Sequence, residues 1–106
     1  MKLDLSVEHK DNGAVEVKLD GDITIQTSPQ LKKALSKLFK GQDKTIRLDL
    51  TDVKFMDTSG LATLVEGLQW SRSGGGDFKL TGLSENVRDV FELAKLDGEF
   101  DIVGHE

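Results

Sequence analysis

The chain has 106 residues, no cysteine, and a formal net charge of −5 from 14 basic and 19 acidic residues. This length suits one domain with one core, and the lack of cysteine excludes disulfides, thiol nucleophiles and thiolate metal sites. The acidic balance disfavours binding to nucleic-acid phosphates. Residues 1–8 alternate apolar with polar side chains, so we expect no signal peptide or membrane insertion, and a single cytoplasmic domain over 1–106.

A β-hairpin is predicted at the start of the chain. Apolar residues alternate with polar ones over 3–7 and again over 15–19, and the intervening Asn12-Gly13 pair favours a tight turn. Gly21-Asp22 then interrupts the second pattern. The apolar residues at 23–25 either continue the strand beyond a bulge or begin a short new strand.

A first helix follows, with two candidate starts. Thr27 and Gln30 have the spacing of a capping box, while Ser28 followed by Pro29 offers a second N-cap with proline at the first helical position. Gly41 is expected to end the helix in a left-handed turn. The predicted buried stripe consists of Leu31, Ala34, Leu35, Leu38 and Phe39.

The middle of the chain is predicted to form a strand, a helix and a second strand. Residues 46–50 alternate apolar with polar side chains, which is typical of a strand covered on one face only. A second helix is predicted to begin near Thr58 or Ser59 and to end before the run 74–76. Its expected buried residues are Leu61, Leu64, Val65 and Leu68, and the next strand is predicted at 78–80.

The last part predicts a third helix and a short final strand. Ser84 is a natural N-cap, Asp97-Gly98 marks a turn, and Phe100 and Ile102 suit a strand. The helix stripe is expected to consist of Val87, Val90, Phe91 and Ala94. This order predicts an α/β fold whose mixed sheet is built partly from right-handed βαβ units, with helices mainly packed on one face.

The stretch 48–61 carries the most functional information, because a strand runs through a short loop into a helix that begins with two adjacent hydroxyls. Free backbone N–H groups and the positive end of the helix dipole suit a phosphate there, whether bound or covalent. Gly60 is expected to keep the approach open. From the residues alone, the favoured interpretation is that Asp57, Thr58 and Ser59 are ordinary helix caps.

The segment Phe55-Met56-Asp57-Thr58-Ser59-Gly60-Leu61 resembles the signature of STAS domains, specifically that of bacterial anti-sigma factor antagonists. The resemblance covers essentially the whole chain, including Gly21-Asp22-Ile23 before the first helix and the terminal helix around 87–93. Length and element order agree with it, so the resemblance also implies the STAS fold.

The resemblance implies that Ser59, the hydroxyl residue directly before the glycine, is the phosphoacceptor, with Asp57 as the preceding motif carboxylate. Thr58 is the alternative acceptor, because many family members carry serine at that position. Asp57, Thr58, Ser59 and Gly60 would then lie on the surface that a partner covers. A phosphoryl group there would add bulk and about −1.5 to −2 charges, which should abolish binding without unfolding the chain.

The implied mechanism is partner switching. The unphosphorylated domain binds an anti-sigma factor and thereby releases a sigma factor, and phosphorylation reverses the outcome. In the family the anti-sigma factor is typically also an ATP-dependent serine kinase, and a separate metal-dependent phosphatase removes the phosphate. This chain would be a monomeric substrate and ligand, without a cofactor of its own.

Two further residues are candidate partner contacts. Trp70 lies about half a turn from Leu61 around the second helix, so it either anchors an interface or packs under the glycine-rich loop or the first strand. Asp22 lies where the resemblance places a loop near the acceptor helix. It either contacts a basic kinase surface or serves only as a turn residue.

Other functions remain as alternatives. A stand-alone STAS domain that regulates the ATPase of a membrane transporter would keep the same motif as a contact surface, and a scaffold role would need no phosphorylation. A serine hydrolase would need a positioned base and a Gly-x-Ser-x-Gly elbow, which residues 58–60 do not supply. His9 and His105 have no ligand spacing around them, so neither a metal site nor a catalytic triad is expected.

Overall fold

The computed structural model describes residues 3–10, 13–41, 45–96 and 98–103. The elements follow one another in the predicted order. They are β1 (Asp4–His9), β2 (Ala14–Asp20), α1 (Ser28–Lys40), β3 (Thr45–Asp52), α2 (Thr58–Ser73), β4 (Asp77–Thr81), α3 (Glu85–Leu93) and β5 (Asp101–Val103). Within these described ranges, no helix has both the length and the apolar character needed to cross a membrane.

The five strands form one sheet in the order β1-β2-β3-β4-β5. β1 pairs antiparallel with β2, and every later pair is parallel. From β2 onwards each crossover moves one strand in the same direction, so right-handed connections place all three helices on one face of the sheet. The predicted fold class is confirmed.

The core lies between the sheet and these helices. Alternate strand residues face it, while the residues between them, such as Lys18, Asp20 and Arg47, lie exposed on the uncovered face. The buried set includes Val15, Val17, Leu19, Ile46, Leu48, Leu50, Phe78 and Leu80 from the sheet and Leu31, Leu35, Leu61, Leu64, Val87 and Phe91 from the helices.

The connection from β2 to α1 departs from a regular strand. Ile23 forms a single parallel bridge to Met56, and Ile25 is exposed, so residues 23–25 contribute one bridge rather than a full strand. Asn12 lies outside the described residues, but Gly13 has φ of 84° and donates its N–H to the Lys10 carbonyl at 3.1 Å. Such a φ is one that glycine adopts readily.

The predicted capping box at α1 is wrong. Thr27 is the N-cap, but its hydroxyl donates to the Asp22 carbonyl at 2.7 Å and accepts from the Thr24 N–H at 2.9 Å. The Gln30 side chain donates to the Leu3 carbonyl at 2.8 Å instead of returning to the cap. Both groups therefore join α1 to neighbouring segments, and Ser28 is the first helical residue rather than the N-cap.

Two predicted helix ends also differ. Gly41 follows α1 with φ of −78° and ψ of −161°, which is extended and not left-handed. α3 ends at Leu93, so Ala94 is exposed and does not belong to the buried stripe. The left-handed residue there is Lys95, with φ of 59°, and the Leu96 N–H returns to the Phe91 carbonyl at 2.9 Å.

The remaining elements match the sequence pattern. Ser84 caps α3 by accepting the Val87 N–H at 3.3 Å. Asp97 lies outside the described residues, but Phe100 is buried just before β5. Its ring meets those of Phe78 and Phe91 in edge-to-face contacts.

Candidate functional site

The candidate site is the N-terminus of α2, at the edge of the sheet where β3 ends. Asp57 is the N-cap in an extended conformation, and its Oδ1 accepts the Gly60 N–H at 3.1 Å. Its carbonyl accepts the Leu61 N–H, also at 3.1 Å. Thr58 is therefore the first helical residue, and the two hydroxyls lie beside backbone N–H groups that the helix itself leaves unpaired.

The loop before α1 is bound directly to this N-terminus. The Ile23 N–H donates to the Phe55 carbonyl at 3.0 Å, and the Asp57 N–H donates back to the Ile23 carbonyl at 3.0 Å. Asp57 Oδ2 accepts the Ile25 N–H at 3.1 Å. Asp22 immediately precedes Ile23 and therefore lies in the loop next to the start of α2.

Asp57 thus holds two segments that are 32 positions apart in the chain. One carboxylate oxygen accepts a hydrogen bond from the Gly60 N–H in the first turn of α2, and the other accepts a hydrogen bond from the Ile25 N–H in the loop. The side chain is half-buried, which strengthens these charge-assisted bonds relative to bonds in open water. Its principal partners are backbone groups of this chain.

Gly60 has a different role from the expected one. It is buried, and a Cβ added there would lie 2.7 Å from Ile23 Cγ2 and 2.7 Å from Met56 Cγ. Its small size therefore permits close packing between α2 and the Ile23–Met56 bridge. It does not serve to keep a phosphate's approach open.

Thr58 and Ser59 lie on different sides of α2, because adjacent helical residues are about 100° apart. Thr58 is exposed and lines a groove of about 470 Å³ between α2 and α3. Ser59 is half-buried and lies on the other side, in the helical row that continues to Glu66 and Trp70. The two candidate acceptors therefore lie on different sides of the same helix start.

Exposed apolar side chains surround the N-terminus of α2. Ile25 is 72% exposed, Phe55 is 50% exposed, and Leu93 is 85% exposed and lines the groove beside Thr58. These are three of the four large apolar side chains that the described part of the chain leaves exposed. We call the set Ile25, Phe55, Asp57, Thr58, Ser59 and Leu93 the acceptor surface. Exposed apolar side chains that are grouped on one surface are typical of protein interaction sites.

Trp70 does not join the acceptor surface. It lies about 16 Å along α2 from Ser59, is half-buried, and packs against Phe39 of α1 with ring centroids 6.5 Å apart and planes inclined by 58°. Its aromatic neighbour is therefore on α1, and not on the glycine-rich loop or the first strand. Between the two ends of α2, Lys32 of α1 pairs with Glu66 at 3.3 Å.

Lys10 and His9 lie away from this surface, at and after the end of β1. The pKa of Lys10 is raised by its hydrogen bond to Glu8, but Lys10 follows β1 at the opposite edge of the sheet. His9 is exposed on β1, and His105 lies outside the described residues. In the ranges that the structure describes, no cluster of three or more histidine or acidic side chains could hold a metal ion.

The sequence did not reveal the link between Ile25 and Asp57 or the exposure of Leu93. The alternation at 23–25 suggested a strand, whereas Ile25 ends in a loop with its side chain in solvent. The exposure of Leu93 follows from the end of α3 at that residue. Phe55 was the residue whose exposure the sequence could have indicated, because it is an aromatic residue in the short loop between a strand and a polar helix start.

Comparison with known proteins gives one family. The model of the STAS domain matches residues 5–106. Among curated proteins, the anti-sigma-B factor antagonist of Bacillus subtilis is 30% identical over 102 residues, which cover 96% of this chain and 92% of that protein.

Solved structures show the same fold. An anti-sigma factor antagonist from Mycobacterium paratuberculosis superposes with a TM-score of 0.87 at 24% identity, covering 98% of this chain and 87% of that one. The Bacillus cell fate determinant SpoIIAA, in its phosphorylated form, superposes with a TM-score of 0.74 at 20% identity, covering 96% and 93%.

Proposed function

This chain belongs to the STAS domain family, and we propose that it is an anti-sigma factor antagonist that acts by partner switching. In its unphosphorylated form it binds an anti-sigma factor, which then releases its sigma factor. Phosphorylation of Ser59 abolishes that binding. The name of the Bacillus subtilis relative supports the role, and the fold shared with SpoIIAA, a protein solved in a phosphorylated form, is consistent with the switch.

The observation that carries the proposal is the composition of the acceptor surface. Hydroxyls at a helix N-terminus stand among Ile25, Phe55 and Leu93, whose exposed side chains suit burial by a partner. A protein that covers this surface desolvates the hydroxyls as well. A charged group added at that point would therefore act on the interface directly.

Ser59 is the proposed acceptor because it directly precedes Gly60 in the family motif. Transfer of the terminal phosphoryl group from ATP would join phosphorus to Ser59 Oγ, release ADP, and remove the hydroxyl proton. The free N–H groups and the dipole at the start of α2 would stabilise the product. Thr58 is the alternative, and its greater exposure is the reason to test it separately.

The phosphoryl group would oppose binding through its charge and size. It adds about −1.5 to −2 charges beside the Asp57 carboxylate, and those charges would have to be desolvated under a partner. The core beneath this point is apolar and lies below Gly60, so the fold should persist.

The proposal assigns the chain a regulatory role rather than a catalytic one. Its partners would be an anti-sigma factor that is also a serine kinase and a metal-dependent phosphatase that acts on the phosphorylated form. A monomeric state and a cytoplasmic location belong to the same proposal. Asp22 would contribute to the kinase contact from the loop next to the acceptor surface.

The test is a pull-down from lysate of the source organism with the wild-type chain and four variants as baits. Ser59→Ala and Ser59→Glu test the proposed acceptor, and Thr58→Val and Thr58→Glu are the matched pair at the neighbouring hydroxyl. We expect a serine kinase of the anti-sigma class on the wild-type, Ser59→Ala and Thr58→Val baits, and its loss from the Ser59→Glu bait. Circular dichroism confirms that each bait is folded.

Other outcomes would point elsewhere. Loss on Thr58→Glu, with retention on Ser59→Glu, would move the switch to Thr58. Retention of a transporter ATPase on all baits would favour the transporter alternative, and a constant non-kinase assembly without phosphorylation would favour a scaffold.

A further inference from the structure

Asp57 and Ile25 form an uncommon pair on the acceptor surface. The backbone of Ile25 is held by Asp57 Oδ2 at 3.1 Å, yet its side chain is 72% exposed. Asp57 itself is half-buried and also accepts the Gly60 N–H through Oδ1. A half-buried carboxylate therefore holds the backbone segment from which an exposed apolar side chain projects.

The loop around Ile25 has its own hydrogen bonds, but these lie on either side of it. The Thr24 N–H donates to the Thr27 hydroxyl, and the Gln26 N–H donates to the Thr24 hydroxyl at 3.2 Å. The backbone bond from the Asp57 N–H to the Ile23 carbonyl anchors the loop two residues earlier, and the bond from Ile25 to Asp57 Oδ2 holds Ile25 itself to the start of α2. Removing the bond to Oδ2 would free the segment that carries the exposed side chain.

Building on the proposed function, we infer that Asp57 is a positioning residue that presents Ile25 to the anti-sigma factor. The partner contacts the Ile25 side chain through an apolar surface continuous with its contact to the acceptor hydroxyls. The Asp57 carboxylate acts through the loop, since each of its oxygens already faces a backbone donor of this chain. A fixed side chain binds with a smaller entropy loss than a mobile one.

The first test uses Asp57→Asn and needs no partner. Asparagine is as good an N-cap as aspartate, so it keeps an acceptor for the Gly60 N–H. It has one oxygen acceptor where aspartate has two, so keeping the Gly60 bond removes the acceptor of the Ile25 N–H. Hydrogen exchange followed by NMR should accelerate at Ile25 by about tenfold or more, with Gly60 and the rest of α2 unchanged.

Asp20→Asn is the matched control, since it removes the same charge from the uncovered face of the sheet, where Asp20 is exposed. It should leave the exchange of the Ile25 amide unchanged. Unaltered exchange at Ile25 in Asp57→Asn would overturn the positioning role, and so would equal acceleration in Asp20→Asn.

The second test is a double-mutant cycle with the purified anti-sigma factor of the same organism, measured by calorimetry. Ile25→Ala and Asp57→Asn should each weaken binding by about tenfold. If Asp57 acts through Ile25, the double variant should also be weaker by only about tenfold. An additive loss of about a hundredfold would mean that Asp57 contacts the partner directly, which contradicts the proposal.

The two proposals fail in different ways. Equal binding by Ser59→Ala and Ser59→Glu would overturn phosphate control but leave the coupling between Asp57 and Ile25 as measured. If Ser59→Glu loses binding as expected but the losses of affinity in Ile25→Ala and Asp57→Asn are additive, only the positioning role of Asp57 would be overturned.

Discussion

The two ends of helix α2 use similar residue types for opposite purposes. At the N-terminus, the Asp57 carboxylate accepts hydrogen bonds from backbone N–H groups, while apolar side chains such as Ile25 are exposed to solvent. At the C-terminus, Trp70 turns its ring towards Phe39 of α1. Aromatic and polar residues alone therefore do not mark a functional surface. The direction in which the apolar groups point distinguishes an end that can receive a partner from an end that stabilises the fold.

The largest effect on stability that would sharpen this comparison is expected from Gly60→Ala. The new methyl group would lie 2.7 Å from both Ile23 Cγ2 and Met56 Cγ, so the loop and the helix must separate. We expect the free energy of unfolding to fall by about 2 kcal/mol in urea denaturation, despite the helix preference for alanine.

Gly67→Ala is the matched control in the same helix. Its nearest contact would be Phe78 Cε2 at 3.0 Å, which is a less severe overlap than the two contacts of 2.7 Å at Gly60. A loss of about 1 kcal/mol or less is expected. Equal losses in the two variants would refute the special closeness of α2 to the Ile23–Met56 bridge.

The next effect concerns Trp70→Ala, which removes a half-buried ring from its contact with Phe39. Unfolding free energy should fall by about 1–2 kcal/mol, below the range for fully buried aromatic residues. Affinity for the anti-sigma factor, measured on the folded variant, should change by less than about twofold. A tenfold weakening with little loss of stability would instead make Trp70 an interface anchor and break the comparison.

A smaller effect on stability is expected at the ion pair between Lys32 and Glu66, which lies between the two ends of α2. Lys32 and Glu66 lie 3.3 Å apart with both side chains about half exposed, so water and salt screen their attraction. Lys32→Met should lower the unfolding free energy by about 0.5 kcal/mol or less. The difference from the wild type should shrink further in 1 M NaCl, as measured by parallel urea titrations. A loss that salt does not reduce would exclude an electrostatic cause.

The sequence predicted the fold well where periodicity carried the information. Alternation in β2 and β3 depends on burial against one face, which the local pattern records, whereas in α2 the predicted Val65 and Leu68 are only half-buried. Helix ends were less predictable. Thr27 and Gln30 have the spacing of a capping box, but nearby backbone groups from other segments take their hydrogen bonds. Competition of that kind arises only when the chain is folded.

The motif located the candidate site in the sequence, but it did not predict the hydrogen bonds and packing that build the site. Asp57 could be identified as a cap residue from its position before Thr58 and Ser59. Its second bond, to Ile25, joins residues 32 positions apart and has no local signature. The packing role of Gly60 was also hidden, because it depends on Ile23 arriving from a different part of the chain.

The most direct test of the central claim is the affinity of the purified anti-sigma factor for this chain before and after phosphorylation. The chain would be phosphorylated with ATP by that kinase, the modified residue mapped by mass spectrometry, and both forms compared by calorimetry. We predict phosphate on Ser59 and at least about a hundredfold weaker binding, with an unchanged circular dichroism spectrum. Equal affinity of the two forms, with Ser59 fully modified, would contradict partner switching at this surface.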